Sequence, residues 1–305
     1  MQITDLLIRE ICSGIPGLRL RTSEPMSAHC SFRIGGRVRA MAMPDGIEEA
    51  AGLCRALRRA GVAPLVVGKG TNLLVADGEL DLFVIKMDDG MAGIAPWGET
   101  GLRAGCGAPL ARLAQKAQGM GLSGLEFAHG IPGTLGGAVS MNAGAYGGEM
   151  KDVTHATLYL GDDMEIRERS GPDQGFAYRR SAFSGSGEVI LESRIALSPG
   201  EPAEIQARMR ELMEKRRASQ PLDVPSAGST FKRPEGGFAA ALIDQAGLKG
   251  FAIGGAQVSP KHAGFVVNRG GATFDDVLRL IEYIQEKVFR DAGVMLEPEV
   301  KIIRG

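Results

Sequence analysis

The sequence is short of cysteine, of net charge and of long apolar runs, and each shortage excludes something. Its four cysteines, Cys12, Cys30, Cys54 and Cys106, lack the paired short spacing of a zinc site or a redox dithiol. Free thiols and no disulfide framework are expected, which fits a reducing cytoplasm. No metal is required, because His29 and His155 have no metal-like partners in sequence and read as structural. A formal net charge of -1 gives no global attraction to nucleic acid or to an anionic membrane, so any phosphate site has to be built locally. The N-terminal stretch carries Asp5, Arg9 and Glu10 among its apolar residues and lacks the apolar core of a signal peptide or membrane helix. A cytoplasmic protein with no membrane partner is the expectation. A hydrophobic fraction of 44% beside 23% charged residues excludes a disordered or fibrous chain.

Glycine is what the chain has in excess: 44 residues, against 5% aromatics, which implies many places where the backbone turns tightly or approaches a ligand. At 305 residues, two or three domains are expected. Ile3, Leu6, Leu7 and Ile11 predict an opening helix that stops at Gly14. Asp45 as cap, with Glu48 three residues on, predicts a second helix ending at Gly61. Strands follow at 63–67 and after the glycine turn to Val75, which makes 1–80 a small α/β unit. Segment 81–198 reads as short strands at 82–87, 153–160, 164–169 and 188–197, interrupted by a helix from Pro109 to Gly119. Pro199 to Pro202 marks a boundary, and 199–305 reads as a further α+β domain. Its charged first helix ends in Lys215, Arg216 and Arg217, read as a solvated face ahead of phosphate binding. Its last helix is capped by Thr273 and Asp276, before a closing strand at 299–303.

Two glycine-rich stretches carry the chemistry. Val67, Gly68, Lys69, Gly70, Thr71, Asn72 and Leu73 form a turn between apolar runs that reads either as a diphosphate cradle or as a plain tight turn. Leu73 stands where a Rossmann fingerprint needs its third glycine, and no P-loop lysine follows. The second stretch is denser: Gly130, Ile131, Pro132, Gly133, Thr134, Gly136, Gly137, Ala138, Asn142, Gly144, Ala145 and Tyr146. Ordinary packing does not ask for so many glycines, whereas backbone lying against a flat ring or a diphosphate does. Thr134, Asn142 and Tyr146 add hydrogen-bonding tips.

These stretches resemble the two FAD-contacting segments of the UDP-N-acetylenolpyruvoylglucosamine reductase (MurB) family. The resemblance continues through Tyr178-Arg179-Arg180-Ser181-Ala182-Phe183, Ala227-Gly228-Ser229-Thr230-Phe231-Lys232 and Leu296-Glu297-Pro298-Glu299-Val300. Together the motifs span nearly the whole chain, and the run from Ser259 to Asn268 looks like the family form with a shorter middle region. The resemblance implies an α+β protein: a two-domain FAD-binding fold of the vanillyl-alcohol-oxidase (PCMH) type, at 1–80 and 81–198, with a C-terminal substrate domain at 199–305. It implies noncovalent FAD, NADPH as reductant and UDP-N-acetylglucosamine enolpyruvate as substrate, with no obligate protein partner. Ser229 would protonate the substrate, Arg179 would hold its carboxylate, and Glu297 would act at the same site as an acid or hydrogen-bonding partner. Tyr178, Lys261 and His262 are expected at the substrate. His129 invites a covalent flavin link, but the family holds FAD noncovalently. Arg233, where other members have Asn, departs from the pattern.

Two rival readings stand beside this one. Another FAD oxidoreductase of the same superfamily would oxidise an alcohol or hydroxy acid, react with oxygen and have no need of a proton-donating serine. A non-catalytic nucleotide-binding module would bind through the glycine loops without turnover.

Overall fold

The computed structural model describes residues 2–305. Their contacts group into two compact units, neither continuous in sequence. One takes Met1–Thr22, Ala40–Lys69 and Leu82–Lys215, and the other Ser23–Arg39, Gly70–Asp81 and Arg216–Gly305. These units and the three consecutive segments read from sequence are different divisions of the chain.

The first unit is organised by a five-stranded antiparallel sheet in the order Ile166–Ser170, Thr154–Leu160, Val189–Ala196, Gly101–Gly105, Ile94–Trp97. Its core gathers Leu102, Ala104, Leu191 and Ile195 from the sheet with Leu110, Leu113, Leu135 and Val139 from helices Leu110–Gly119 and Leu135–Ser140. The opening helix, Asp5–Ser13, is capped by the Thr4 hydroxyl, which accepts from the Leu7 N–H at 3.3 Å, and it closes at Gly14. Helix Ile47–Arg59 corrects one expectation: its cap is Gly46, and the Asp45 carboxylate is instead held by Arg19 at 2.7 Å. Strands Ile94–Trp97 and Gly101–Gly105 lay outside the sequence reading, because their apolar residues are few and interrupted by glycine and proline.

The second unit pairs Leu73–Val75 in parallel with Lys301–Ile303, Leu73 opposite Lys301. It adds a three-stranded antiparallel sheet of Ala252–Ile253, Ala256–Val258 and Val266–Asn268. Helix Phe274–Ala292 has the expected Thr273–Asp276 capping box, ends at Gly293 with φ 69°, and buries Val277, Leu280, Ile281, Ile284 and Val288. Those side chains form the second core with Phe32, Ile34, Leu74 and Phe231.

Among the described residues, no helix is long and apolar enough to cross a membrane. No cluster of three or more His, Cys, Asp or Glu in them could hold a metal. Cys30, Cys54 and Cys106 are buried free thiols and Cys12 is partly buried. Burial pushes the Cys106 thiol up to about 12.

Candidate active site

The boundary between the units falls inside the first glycine turn, between Lys69 and Gly70. On the first unit's side, Val67 ends a strand and its carbonyl accepts the Met87 N–H at 2.8 Å. The Gly68 carbonyl accepts from Lys86 Nζ at 2.5 Å, while Lys69 is exposed. A Cβ on Gly68 would stand 2.1 Å from Thr134 Oγ1, so the two glycine-rich stretches touch here and only glycine fits. On the second unit's side, Gly70 takes φ 60° and a Cβ there would meet the His29 carbonyl at 2.4 Å. Asn72 Nδ2 donates to the Glu299 carbonyl at 3.1 Å, Thr71 lies beside it in the chain, and Leu73 is buried in its strand.

The second stretch lies wholly in the first unit. Gly130, Ile131 and Pro132 lead into Gly133, whose carbonyl accepts the Leu110 N–H at 3.2 Å. The N–H groups of Leu135 and Gly136 are spent on the carbonyls of Ala108 and Cys106, both at 2.8 Å. Thr134 and Ala138 are buried. A Cβ on Gly137 would find only Thr134 Oγ1, at 3.8 Å, so protein packing does not demand glycine there. His129 Nδ1 is buried with no hydrogen-bond partner among the described residues, and burial lowers the pKa of the ring.

Asn142 follows helix Leu135–Ser140 with φ 45° and is 1% exposed. Its N–H donates to the Val139 carbonyl at 3.2 Å and the next N–H, of Ala143, to the Ala138 carbonyl at 2.8 Å, the paired bonds of a Schellman ending. Both hydrogens of the Asn142 amide are used within the protein, on Glu149 Oε2 at 2.9 Å and the Ala177 carbonyl at 3.0 Å. Oδ1 accepts the Lys151 N–H at 2.9 Å. The expectation that this side chain offers a hydrogen-bonding tip to a ligand therefore meets an amide whose donors are already spent. A hairpin pairs Gly144 with Glu149 and Ala145 with Gly148. At its tip stand Tyr146 and Gly147, with φ 54° and 90°, the signs of a type I′ turn.

Arg179 sits in a second tight turn. Ala177 and Arg180 exchange backbone hydrogen bonds at 3.0 and 3.2 Å, which leaves Tyr178 and Arg179 at the tip. Arg179 takes φ 55°, a region where turns of this kind normally place glycine or asparagine. Its guanidinium carbon lies 5.4 Å from the centre of the exposed Tyr178 ring, and Nη1 donates to the Gly144 carbonyl at 3.5 Å.

Ser229 and Glu297 belong to the second unit, on adjacent lengths of backbone. Lys232 N–H donates to the Glu297 carbonyl at 2.9 Å, and Glu299 N–H to the Thr230 carbonyl at 2.8 Å. Phe231 is thereby bridged antiparallel to Pro298. The Ser229 segment is also tied to 262–266: Thr230 N–H donates to the Gly264 carbonyl at 2.8 Å, and Thr230 Oγ1 accepts from Val266 N–H at 3.0 Å. Ser229 and the Glu297 side chain are exposed, and the Lys232 ammonium pairs with the Glu297 carboxylate. His262 Nδ1 accepts the Gly264 N–H at 3.1 Å, and burial lowers its pKa. Lys261 Nζ donates to the Arg217 carbonyl at 2.5 Å. Arg233, the departure noted in the sequence, lays its guanidinium over the Phe238 ring at 4.2 Å.

Sequence reasoning missed three charged residues that the geometry brings to these groups: Lys86, Glu149 and Lys232. Lys232 lies within a quoted motif. The other two lie outside the motifs: Lys86 reaches Gly68 across 18 residues, and Glu149 meets the Arg179 turn through Asn142, which bonds Ala177 across 35.

Two family models match the chain. The UDP-N-acetylenolpyruvoylglucosamine reductase C-terminal domain covers residues 220–303, and an FAD binding domain covers residues 38–164. The UDP-N-acetylenolpyruvoylglucosamine reductase of Caldanaerobacter subterraneus subsp. tengcongensis is 44% identical over 301 residues, 99% of each chain. The crystal structure of the enzyme of that name from Thermus caldophilus superposes with a TM-score of 0.80 at 33% identity, covering 94% of this chain and 98% of that one. Berberine bridge enzyme shares the fold alone, with a TM-score of 0.52 at 16% identity over 66% of this chain and 45% of that one. The fold is thus a two-domain FAD-binding fold followed by an α+β C-terminal domain.

Proposed function

Since this chain belongs to the UDP-N-acetylenolpyruvoylglucosamine reductase family, we propose that Arg179, Ser229 and Glu297 carry its reaction. It is an FAD-dependent oxidoreductase acting on UDP-N-acetylglucosamine enolpyruvate, with NADPH as the reductant and UDP-N-acetylmuramate as the product. The residues present fit FAD. Thr134 leaves no room for a side chain at Gly68, Gly137 keeps an open side beside the same threonine, and the buried Nδ1 of His129 has no partner among the described residues. In this reading residues 67–73 and 130–146 hold the cofactor, through the backbone in the case of Asn142. Segment 199–305 holds the UDP-sugar, with Tyr178, Lys261 and His262 beside the substrate. When bound, FAD supplies a hydride drawn from NADPH.

The chain's own residues have two tasks. Hydride arriving at the distal carbon of the enolpyruvyl double bond pushes negative charge toward the carboxylate, and the neighbouring carbon then needs a proton. Arg179 is suited to the first task because a planar guanidinium meets both carboxylate oxygens at once. Ser229 gives its proton to the neighbouring carbon, from a backbone fixed by the ties of Thr230 to Gly264 and Glu299. Glu297, paired with Lys232, sits on the opposite length of that ladder as a hydrogen-bonding partner for the same site. The observation that carries the reading is Arg179 held at φ 55° at the tip of a tight turn, with its Nη1 on the Gly144 carbonyl at 3.5 Å.

The test is anaerobic absorbance of the purified protein. NADPH should bleach bound flavin, and the UDP-sugar should restore its colour. Restoration by oxygen but not by the UDP-sugar would favour an alcohol-oxidising relative, and flavin that NADPH does not bleach would favour a binding module.

A further inference from the structure

We propose that Glu149 and Asn142 form a positioning pair that presets Arg179 for the substrate carboxylate, with Asn142 clamping the turn at its base and Glu149 supplying the counter-charge. The proposal rests on the reading of Arg179 as the carboxylate-binding group.

The contacts form a closed ring. Asn142 Nδ2 holds the carbonyl of Ala177, the first residue of the Arg179 turn. Arg179 Nη1 reaches the carbonyl of Gly144, and Gly144 is the strand partner of Glu149. Glu149 Oε2 returns to Asn142 Nδ2 at 2.9 Å. The amide of Asn142 has one possible orientation, because Lys151 N–H donates to Oδ1 and a flipped NH2 would face that donor. Its left-handed backbone would suit glycine equally well, so the side chain is not there for the turn it ends. It is there for the three bonds it makes, and one of them falls on the turn that strains Arg179.

Glu149 adds charge to this clamp. Its carboxylate is held below the ordinary range, chiefly by Lys151 at 2.8 Å, then by the Asn142 bond and by the nearby Arg179 charge. It is therefore ionised at neutral pH and draws the Arg179 guanidinium toward the hairpin before any substrate is present. An incoming carboxylate then meets a fork already aimed, and little of its binding energy goes into ordering the side chain.

The test uses the full-length, FAD-loaded protein. Asn142→Gly keeps the left-handed backbone and removes the three side-chain bonds. Glu149→Gln keeps an acceptor for Asn142 and removes the charge. Glu149→Gln should bleach with NADPH at the parental rate, and both variants should return flavin colour with substrate on the order of 10- to 100-fold more slowly. Binding of UDP-N-acetylmuramate, which carries the carboxylate, should weaken, while UDP-N-acetylglucosamine, which lacks it, should bind as before. In an Arg179→Met background, which removes the cation that Glu149 draws toward the hairpin, the Glu149→Gln effect should shrink. A variant that loses both sugars alike, or a Glu149→Gln effect that persists in full beside Arg179→Met, overturns the pair as a positioning device. Parental reoxidation in Arg179→Lys overturns the Arg179 reading and the pair with it. A slow Arg179→Lys beside parental Asn142→Gly and Glu149→Gln overturns the pair alone.

Discussion

The turn that carries Arg179 and the ladder that carries Ser229 and Glu297 solve the same problem in opposite ways. Around Arg179 the fixing is done by side chains: the amide of a buried asparagine spends both its hydrogens and its oxygen on protein partners, and the backbone it serves is strained. Around Ser229 the fixing is done by backbone. Segments 230–232 and 297–299 bind each other, Thr230 is tied to Gly264, and the functional side chains project into solvent. A side-chain clamp can be loosened by one substitution far from the turn in sequence. A backbone ladder survives loss of any single side chain, so substitutions there should report on chemistry rather than on placement.

Ser229→Ala should have the largest effect and sharpens the contrast most. Bleaching by NADPH needs no proton on the substrate carbon and should stay near the parental rate. Reoxidation by the UDP-sugar should slow by roughly 100- to 10,000-fold, the contribution of a positioned general acid. Because the ladder holds without the hydroxyl, UDP-sugar affinity should survive, and rapid mixing should place the whole defect in the chemical step. Equal rates in both halves of the reaction would remove Ser229 from its role.

Gly68→Ala probes the first unit for dependence on packing between its two glycine-rich stretches. The new methyl meets the buried Thr134 side chain, and the expected loss is about 1–3 kcal/mol with lowered FAD occupancy. Adding Thr134→Ala should recover most of the lost thermal stability, since the Oγ1 that clashes is gone. A denaturation midpoint unchanged in the single variant would show that the two stretches are not in contact in solution.

The smallest effect is expected on the ladder. Lys232→Met removes the ion pair with Glu297, whose side chain is 69% exposed, and should change stability by less than about 1 kcal/mol in urea unfolding. The backbone bond from Lys232 to Glu297 is untouched by the substitution. A loss as large as that of Gly68→Ala would mean the ladder depends on its side chains after all, and the comparison would collapse.

Much of this protein was legible before folding was considered. The cap at Thr273 and Asp276, the stop at Gly14 and the strands at 154–160 and 189–196 follow from local rules, since capping, periodicity and branching act within a few residues. Local rules failed at Asp45, where a good capping residue was diverted to Arg19 from 26 positions away. The glycine-rich stretches announced a site because so many positions without a side chain serve little purpose in a core. What the sequence determined by itself was therefore the elements, the family motifs and the residue types available for chemistry. Only the tertiary structure decided that Asn142 faces inward, that Glu149 lies behind Arg179 and that Lys232 meets Glu297. Those pairings join segments from 7 to 65 residues apart, and a hydrogen bond across such a gap leaves no mark on the spacing of either partner.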